Sequence, residues 1–133
     1  MTTTPRFEPG FRASFTDLCA IATAVVTAAV LFRTFRTASV IILVTTFQFF
    51  LFCNVFRIRR RPEMIWAAVF FLLSVSTIRL GVPGWPATIA VALSVAGGLI
   101  AWETRHPSYH GVGWKRFNPG LEAWWNETRP PLT

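Results

Sequence analysis

Hydrophobic and polar positions fall in long blocks along this chain rather than alternating residue by residue. Four blocks rich in Val, Ile, Leu, Phe and Ala are separated by short segments that carry Arg, Gly or Pro. The second block is close to the ~20 residues that cross ~30 Å of hydrocarbon. The pattern predicts an all-α integral membrane protein with about four transmembrane helices, over residues 17–32, 38–56, 64–78 and 86–102.

The segments between the blocks predict how these helices connect. Arg33-Thr-Phe-Arg36 and Arg79-Leu-Gly-Val-Pro-Gly84 indicate tight reversals, while Arg57-Ile-Arg-Arg-Arg-Pro-Glu63 indicates a longer basic turn. Asp17 suits the first turn of helix one and Pro86 the first turn of helix four. We therefore expect two helical hairpins of the same orientation, joined by the basic turn, with a short third helix.

Polar segments flank the predicted helical domain of residues 17–102. Residues 1–16 contain prolines and a glycine that oppose a helix, and we predict an interfacial N-terminal segment. Residues 103–133 form a polar, tryptophan-rich C-terminal tail. Within the tail, Leu121 to Glu127 predicts a short helix that lies at the headgroup level of the membrane.

Composition and charge restrict the possible partners. The chain is 53% hydrophobic and 14% charged, whereas a soluble domain carries about 25% charged residues. The net charge of +7 would suggest nucleic acid if the arginines were gathered on one polar domain. They instead flank the apolar blocks, where topology charges and lipid contacts are expected. We predict lipid and membrane-protein partners and no nucleic acid.

The distribution of basic residues predicts an orientation. All but three of the 13 Lys and Arg lie on the side of the N-terminal segment, the basic turn and the tail; the exceptions are Arg33, Arg36 and Arg79. The positive-inside rule then places both termini in the cytoplasm, in a bacterial or organellar inner membrane. The arginines of the basic turn are predicted to contact lipid headgroups: Arg57, Arg59, Arg60 and Arg61.

Two further patterns predict packing surfaces. Small residues recur every four positions in helices one and four, at Ala20, Ala24, Ala28, Ala90, Ser94 and Gly98. Because small residues let helices approach closely in lipid, we expect these two helices to pack tightly, against each other or against a partner. Bulky aromatic residues predict docking onto other membrane subunits, at Phe47, Phe50, Trp114, Trp124 and Trp125.

Few residues in the predicted spans could support chemistry. The strongly polar ones are Gln48 and Asn54, and Asn54 is expected to make a helix-to-helix hydrogen bond. No ionisable side chain lies near the middle of a span, which argues against a pump or coupled carrier. His106 and His110 have helical spacing, but intervening Pro107 opposes a helix. We expect a plain polar loop there, and neither a catalytic site, a metal nor a cofactor.

These observations favour a non-catalytic accessory, assembly or scaffold subunit of a larger membrane complex. The absence of catalytic motifs, the aromatic surface and the tryptophan-rich tail together suggest a respiratory or photosynthetic electron-transport complex. One alternative is a small homo-oligomeric channel or transporter, in which Gln48 and Asn54 line a shared path. Another is a lipid- or quinone-handling protein that holds headgroups with the arginines of the basic turn.

Overall fold

The computed structural model describes residues 6–128, and this part of the chain is helical without strands. The predicted all-helical class is confirmed. Residues 1–5 and 129–133, the outer ends of the predicted N-terminal segment and tail, lie outside the described residues. The helices are α1 (Phe15–Leu31), α2 (Arg36–Phe50) with a π-helical turn (Leu51–Val55), α3 (Arg60–Leu80), α4 (Trp85–Glu103), α5 (Trp114–Phe117) and α6 (Leu121–Thr128).

Three of the four long helices are long and apolar enough to cross a membrane. They are Arg36–Val55 with 20 residues, Arg60–Leu80 with 21 and Trp85–Glu103 with 19. The fourth, α1, is apolar but has 17 residues, a length of about 26 Å at ~1.5 Å per residue. The helix α6 agrees with the short helix that the sequence predicted from Leu121.

The long helices form two hairpins, as predicted: α1 packs against α2, and α3 packs against α4. In the first hairpin, Ser39 Oγ donates to the Ala28 carbonyl at 2.8 Å. In the second, the hydroxyls of Thr77 and Thr88 are 2.7 Å apart and buried. The predicted stripes of helices one and four therefore do not find their main packing partner in each other, and packing against a partner protein stays a prediction.

An aromatic core joins the end of the first hairpin to the second. Trp66 stacks on Phe70 with ring centroids 5.1 Å apart and meets the edge of Phe52 at 5.9 Å. Trp66 Nε1 also donates to the Ala92 carbonyl at 2.9 Å, which satisfies the buried indole. Phe52 belongs to the π-helical turn, so this turn directs an aromatic ring into the core.

Two helix starts differ from the sequence prediction. Helix α3 begins at Arg60, inside the predicted basic turn, and is therefore not short. Pro62 is tolerated because the first turn of a helix leaves its N–H groups unpaired in any case. Helix α1 begins before Asp17, because Ser14 is the N-cap: Asp17 N donates to Ser14 Oγ at 3.2 Å, and Ser14 N donates to Asp17 Oδ2 at 2.8 Å.

Candidate functional site at the capped end

One end of the long helices is made by the start of α1, the end of the π-helical turn, the start of α3 and the end of α4. The N-terminal segment and the segment after α4 both contact this end, which we name the capped end. The last carbonyls of a helix have no partner within that helix. Here the Asn54 carbonyl accepts from Arg12 N at 3.1 Å, and the Val55 carbonyl accepts from Val112 N at 2.8 Å. The N-terminal segment and the segment after α4 thus both complete the π-helical turn.

The N-terminal segment is fixed to the tail by backbone and aromatic contacts. Gly10 N donates to the His110 carbonyl at 2.7 Å. The ring of Phe7 meets Trp114 and Trp125 edge-on, with centroid distances of 6.0 and 5.5 Å. These two tryptophans, predicted to dock on a partner, therefore contact the chain's own N-terminal segment.

The tail packs as a small ordered unit. Tyr109 is 2% exposed and its hydroxyl donates to the Val112 carbonyl at 2.7 Å, while Leu121 is fully buried. Asn118 Nδ2 donates to the Tyr109 carbonyl at 3.2 Å. At Gly111 the backbone lies directly against the Phe56 carbonyl, and a Cβ atom would overlap it. This close approach joins the tail to the residues that follow the π-helical turn.

A charged pair connects the start of α3 to the end of α4. Arg59 Nε and Nη2 donate to the two oxygens of Glu103, at 2.7 and 3.1 Å. The Glu103 side chain is 3% exposed and that of Arg59 is 49% exposed. An acid in the last turn of a helix is unfavourable to the helix dipole, so the guanidinium also offsets that cost. The hydrogen bond to Glu103 raises the pKa of Arg59 above its usual value.

Arg57 is the second cation of the capped end and has an unusual backbone. Its φ is +48°, a left-handed conformation that non-glycine residues seldom adopt. Its Nη1 donates to the Glu8 carbonyl at 2.5 Å. Burial lowers its pKa, nearby Arg12 lowers it further, and Glu8 opposes the shift. Within residues 6–128 no carboxylate lies at ion-pair distance from this guanidinium.

These groups line a partly open cavity of about 200 Å³. Its eight lining residues are all polar or aromatic: Arg57, Arg59, Glu103, Ser108, Tyr109, His110, Trp124 and Trp125. A smaller cavity of about 40 Å³ lies beside it and shares Arg57, His110 and Trp125. His110 Nδ1 is 2.9 Å from the Ser108 carbonyl, so it carries a hydrogen and Nε2 is left for a ligand. Two guanidinium groups against one carboxylate make this lining suitable for an anion.

The structure separates the predicted headgroup arginines into two pairs. Arg57 and Arg59 line the cavity, whereas Arg60 and Arg61 are exposed and do not belong to its lining. Trp124 lines the cavity together with Trp125. The two phenylalanines of helix two that were predicted to dock on a partner also differ in their surroundings. Phe50 meets Phe11 with ring centroids 6.0 Å apart, and Phe47 is 56% exposed.

The surroundings of Asn54 suit the predicted helix-to-helix hydrogen bond. With its amide nitrogen turned toward α1, the orientation that satisfies both amide atoms, Asn54 would donate to Asp17 Oδ2 at 3.1 Å and to the Arg12 carbonyl at 2.8 Å. This side chain therefore ties the π-helical turn to the start of α1. Gln48 is 1% exposed and its amide has no hydrogen-bond partner among the described residues.

The small residues of the predicted stripes have different environments. Ala28 is buried against α2, Ala24 is half-buried and Ala20 is exposed. On α4 the predicted residues are all exposed: Ala90, Ser94 and Gly98. The face of α4 that packs against α3 is made instead of Thr88, Ala92 and Ala96. The two sets are offset by two positions, so at ~100° per residue the two faces are about 160° apart.

Sequence reasoning missed four residues of the cavity: Glu103, Ser108, Tyr109 and His110. The acid at the end of an apolar helix was a usable signal, because the helix dipole disfavours a negative charge there unless a cation lies nearby. The other three carry no local signal, since their role depends on the tail folding back over the π-helical turn. No cluster of three or more His, Cys, Asp or Glu that could hold a metal ion occurs between residues 6 and 128.

The fold and the site together define a helical protein with three helices long and apolar enough to cross a membrane, and with a partly open cavity at one end that two arginines and one glutamate help to line. Comparison of the chain with protein-family models, with curated proteins and with solved structures finds no match.

Proposed function

We propose that this chain is a multi-pass membrane protein that serves as a non-catalytic accessory or assembly subunit of a larger membrane complex. The complex is proposed to be an energy-transducing one, respiratory or photosynthetic, in a bacterial or organellar inner membrane. The excess of Lys and Arg at the capped end supports a cytoplasmic location for both termini.

The observation that carries this proposal is the two-sided character of α4. One face, Thr88, Ala92 and Ala96, is buried against α3. The opposite face, Ala90, Ser94 and Gly98, is also made of small residues but is exposed. In lipid, small residues favour helix association because they allow close backbone contact. A helix with two such faces suits a position between two neighbouring helices. Within this chain one neighbour is α3, and the second is proposed to belong to a partner protein.

The polar groups favour this proposal over a channel. A shared ion path needs polar side chains that face a common opening, as ions must exchange their hydration shell for protein groups. Gln48 is enclosed, and Asn54 is engaged with Asp17 at the capped end. Ser94, on the exposed face of α4, donates to its own helix at the Ala90 carbonyl, 2.8 Å away. It therefore needs no polar partner in a helix-to-helix contact.

The test is purification of the tagged chain from its native membrane in mild detergent, with mass spectrometry of co-migrating proteins and an absorption spectrum of the pool. We expect a complex that contains redox or light-harvesting subunits. A colourless particle that contains this chain alone would overturn the accessory role and favour a small homo-oligomeric channel.

Matched variants locate the contact on α4. Ala90→Leu adds bulk to the exposed small face, and we expect it to reduce recovery of the partner proteins severalfold. Ala68→Leu makes the same change at an exposed position of α3 and should leave recovery unchanged. Equal recovery with both variants would mean that this face of α4 is not the docking surface.

A further inference from the structure

The charges that line the capped-end cavity are not balanced by one another. Glu103 is engaged by Arg59 through two hydrogen bonds, which leaves Arg57 as the lining cation without an ion pair among the described residues. The Glu8 carboxylate, in the lining of the smaller cavity, acts on Arg57 through its charge but not at ion-pair distance. A guanidinium has five N–H donors. Within residues 6–128, the Arg57 guanidinium makes one hydrogen bond, from Nη1 to the Glu8 carbonyl. The remaining donors are available to an anion.

His110 stands next to Arg57, because both residues line the main cavity and its smaller neighbour. Its Nδ1 is engaged with the Ser108 carbonyl, so Nε2 is the ring atom that can meet a ligand. Nε2 donates to an oxyanion only when the ring carries a second hydrogen there, because the neutral ring with its hydrogen on Nδ1 leaves a lone pair at Nε2. The indole rings of Trp124 and Trp125 complete this wall of the cavity.

The backbone beside the cavity is unusual in two respects. Arg57 has a positive φ, and the π-helical turn Leu51–Val55 ends two residues before it. Left-handed non-glycine residues and π-helical turns are both uncommon, and both are concentrated at functional sites. The cavity volume of about 200 Å³ is below the ~300–1,000 Å³ of sites for drug-sized ligands. The site is therefore of a size for one small charged group.

We propose that the capped-end cavity binds a phosphate group, with Arg57 and His110 as its direct ligands. The paired N–H groups of an arginine match two oxygens of a phosphate. Two sources share this chemistry: the headgroup of an anionic phospholipid and a soluble phosphate ester. The lipid source rests on the membrane location in the proposed function, since headgroups lie at the ends of spanning helices, where Trp is enriched.

The experiment uses the full-length chain in detergent micelles and measures binding by calorimetry and by tryptophan fluorescence. One titration uses glycerol 3-phosphate, and the other uses mixed micelles that contain phosphatidylglycerol, with phosphatidylcholine as the neutral reference. We expect saturable binding of phosphatidylglycerol. Saturation by phosphatidylglycerol alone identifies a lipid headgroup as the ligand, whereas saturation by both probes shows that a soluble ester is sufficient.

Two variants with the same loss of charge test the site. Arg57→Gln removes a lining guanidinium and should weaken binding about tenfold or more, as expected for a charge-assisted hydrogen bond. Arg60→Gln removes an exposed arginine of the same basic turn and should change affinity by less than about twofold. His110→Gln should weaken binding by an intermediate amount. Arg57→Lys keeps the charge but not the paired donors, and it provides the test if Arg57→Gln does not fold.

Equal losses in folded Arg57→Gln and Arg60→Gln would overturn the proposal, because they indicate general surface attraction. Absence of saturable binding of both probes would also overturn it. Failure of the phosphate site and failure of the accessory role can be told apart. A chain that purifies without partners but binds phosphatidylglycerol loses the accessory role and keeps the site, and the converse result keeps the role and loses the site.

Discussion

The two ends of the helices are ordered in different ways. At the opposite end, which we name the turn end, short connections at residues 32–35 and 81–84 are fixed by local hydrogen bonds. Phe35 N donates to the Leu31 carbonyl at 2.6 Å, and Gly81 N donates to the Thr77 carbonyl at 3.1 Å. At the capped end, the hydrogen bonds and aromatic contacts join the N-terminal segment, the π-helical turn and the tail, which are distant in sequence.

This difference predicts how each end responds to damage. Local turns reform when one partner is changed, because their bonds span a few residues. The capped end depends on segments that hold one another, so removal of one should release the others as a cooperative unit. The cavity lies within that unit, and an ordered binding site therefore requires an intact tail.

The largest effect is expected from ending the chain at Val112. This truncation removes Leu121, which is fully buried, and both tryptophans that contact Phe7. Loss of one buried large side chain costs about 2–5 kcal/mol, so the capped end should lose most of its local stability. Hydrogen exchange should show loss of protection at residues 6–13 and 104–112. Protection near residues 31–36 and 80–85 should remain, and loss of protection at both ends alike would contradict the independence of the two ends.

A smaller effect is expected from a single methyl group at Gly111. A Cβ at this position would overlap the backbone carbonyl of Phe56, so Gly111→Ala must push the tail away from the π-helical turn. We expect destabilisation of about 1–3 kcal/mol, as in other overpacked sites. Thermal unfolding in detergent and hydrogen exchange at residues 54–57 provide the measurement.

The control for this variant is Gly120→Ala. A Cβ at Gly120 meets nothing within 4 Å, and its φ is not positive. Gly120 directly precedes α6, and its carbonyl accepts from Trp124 N at 3.0 Å, so alanine should cost less than about 1 kcal/mol as a poorer N-cap residue. If both alanine variants behave alike, close approach of the tail to Phe56 is not a determinant of the capped end.

The helices were predictable from sequence because long apolar blocks and their Arg, Gly and Pro boundaries are local signals. The pairing of helices within each hairpin followed from the short connections at residues 32–35 and 81–84. The face of α4 that packs against α3 was not predictable, because small residues occupy both sides of that helix. The four-residue period of Ala90, Ser94 and Gly98 indicated one small face, and that face is exposed.

The cavity could be predicted only in part. Charge and position predict lipid-headgroup contacts for Arg57 and Arg59 together with the other two arginines of the basic turn. Their separation from Arg60 and Arg61 depends on where α3 begins and on the left-handed backbone at Arg57. His110 enters the site through a fold-back of the tail, and no local pattern encodes a contact between segments about 50 residues apart.

The smallest expected effect concerns the buried hydroxyl pair Thr77 and Thr88, near the turn end. Thr77→Val and Thr88→Val, alone and together, form a double-mutant cycle. Hydrogen bonds between membrane helices couple by about 0.6 kcal/mol on average, and we expect a similar value from unfolding in detergent. Phosphatidylglycerol binding should not change in any of these variants, because the pair belongs to the part of the second hairpin distant from the cavity. A loss of lipid binding in the double variant would show that the two ends are coupled through α3 and α4, and the capped end would then not be an independent unit.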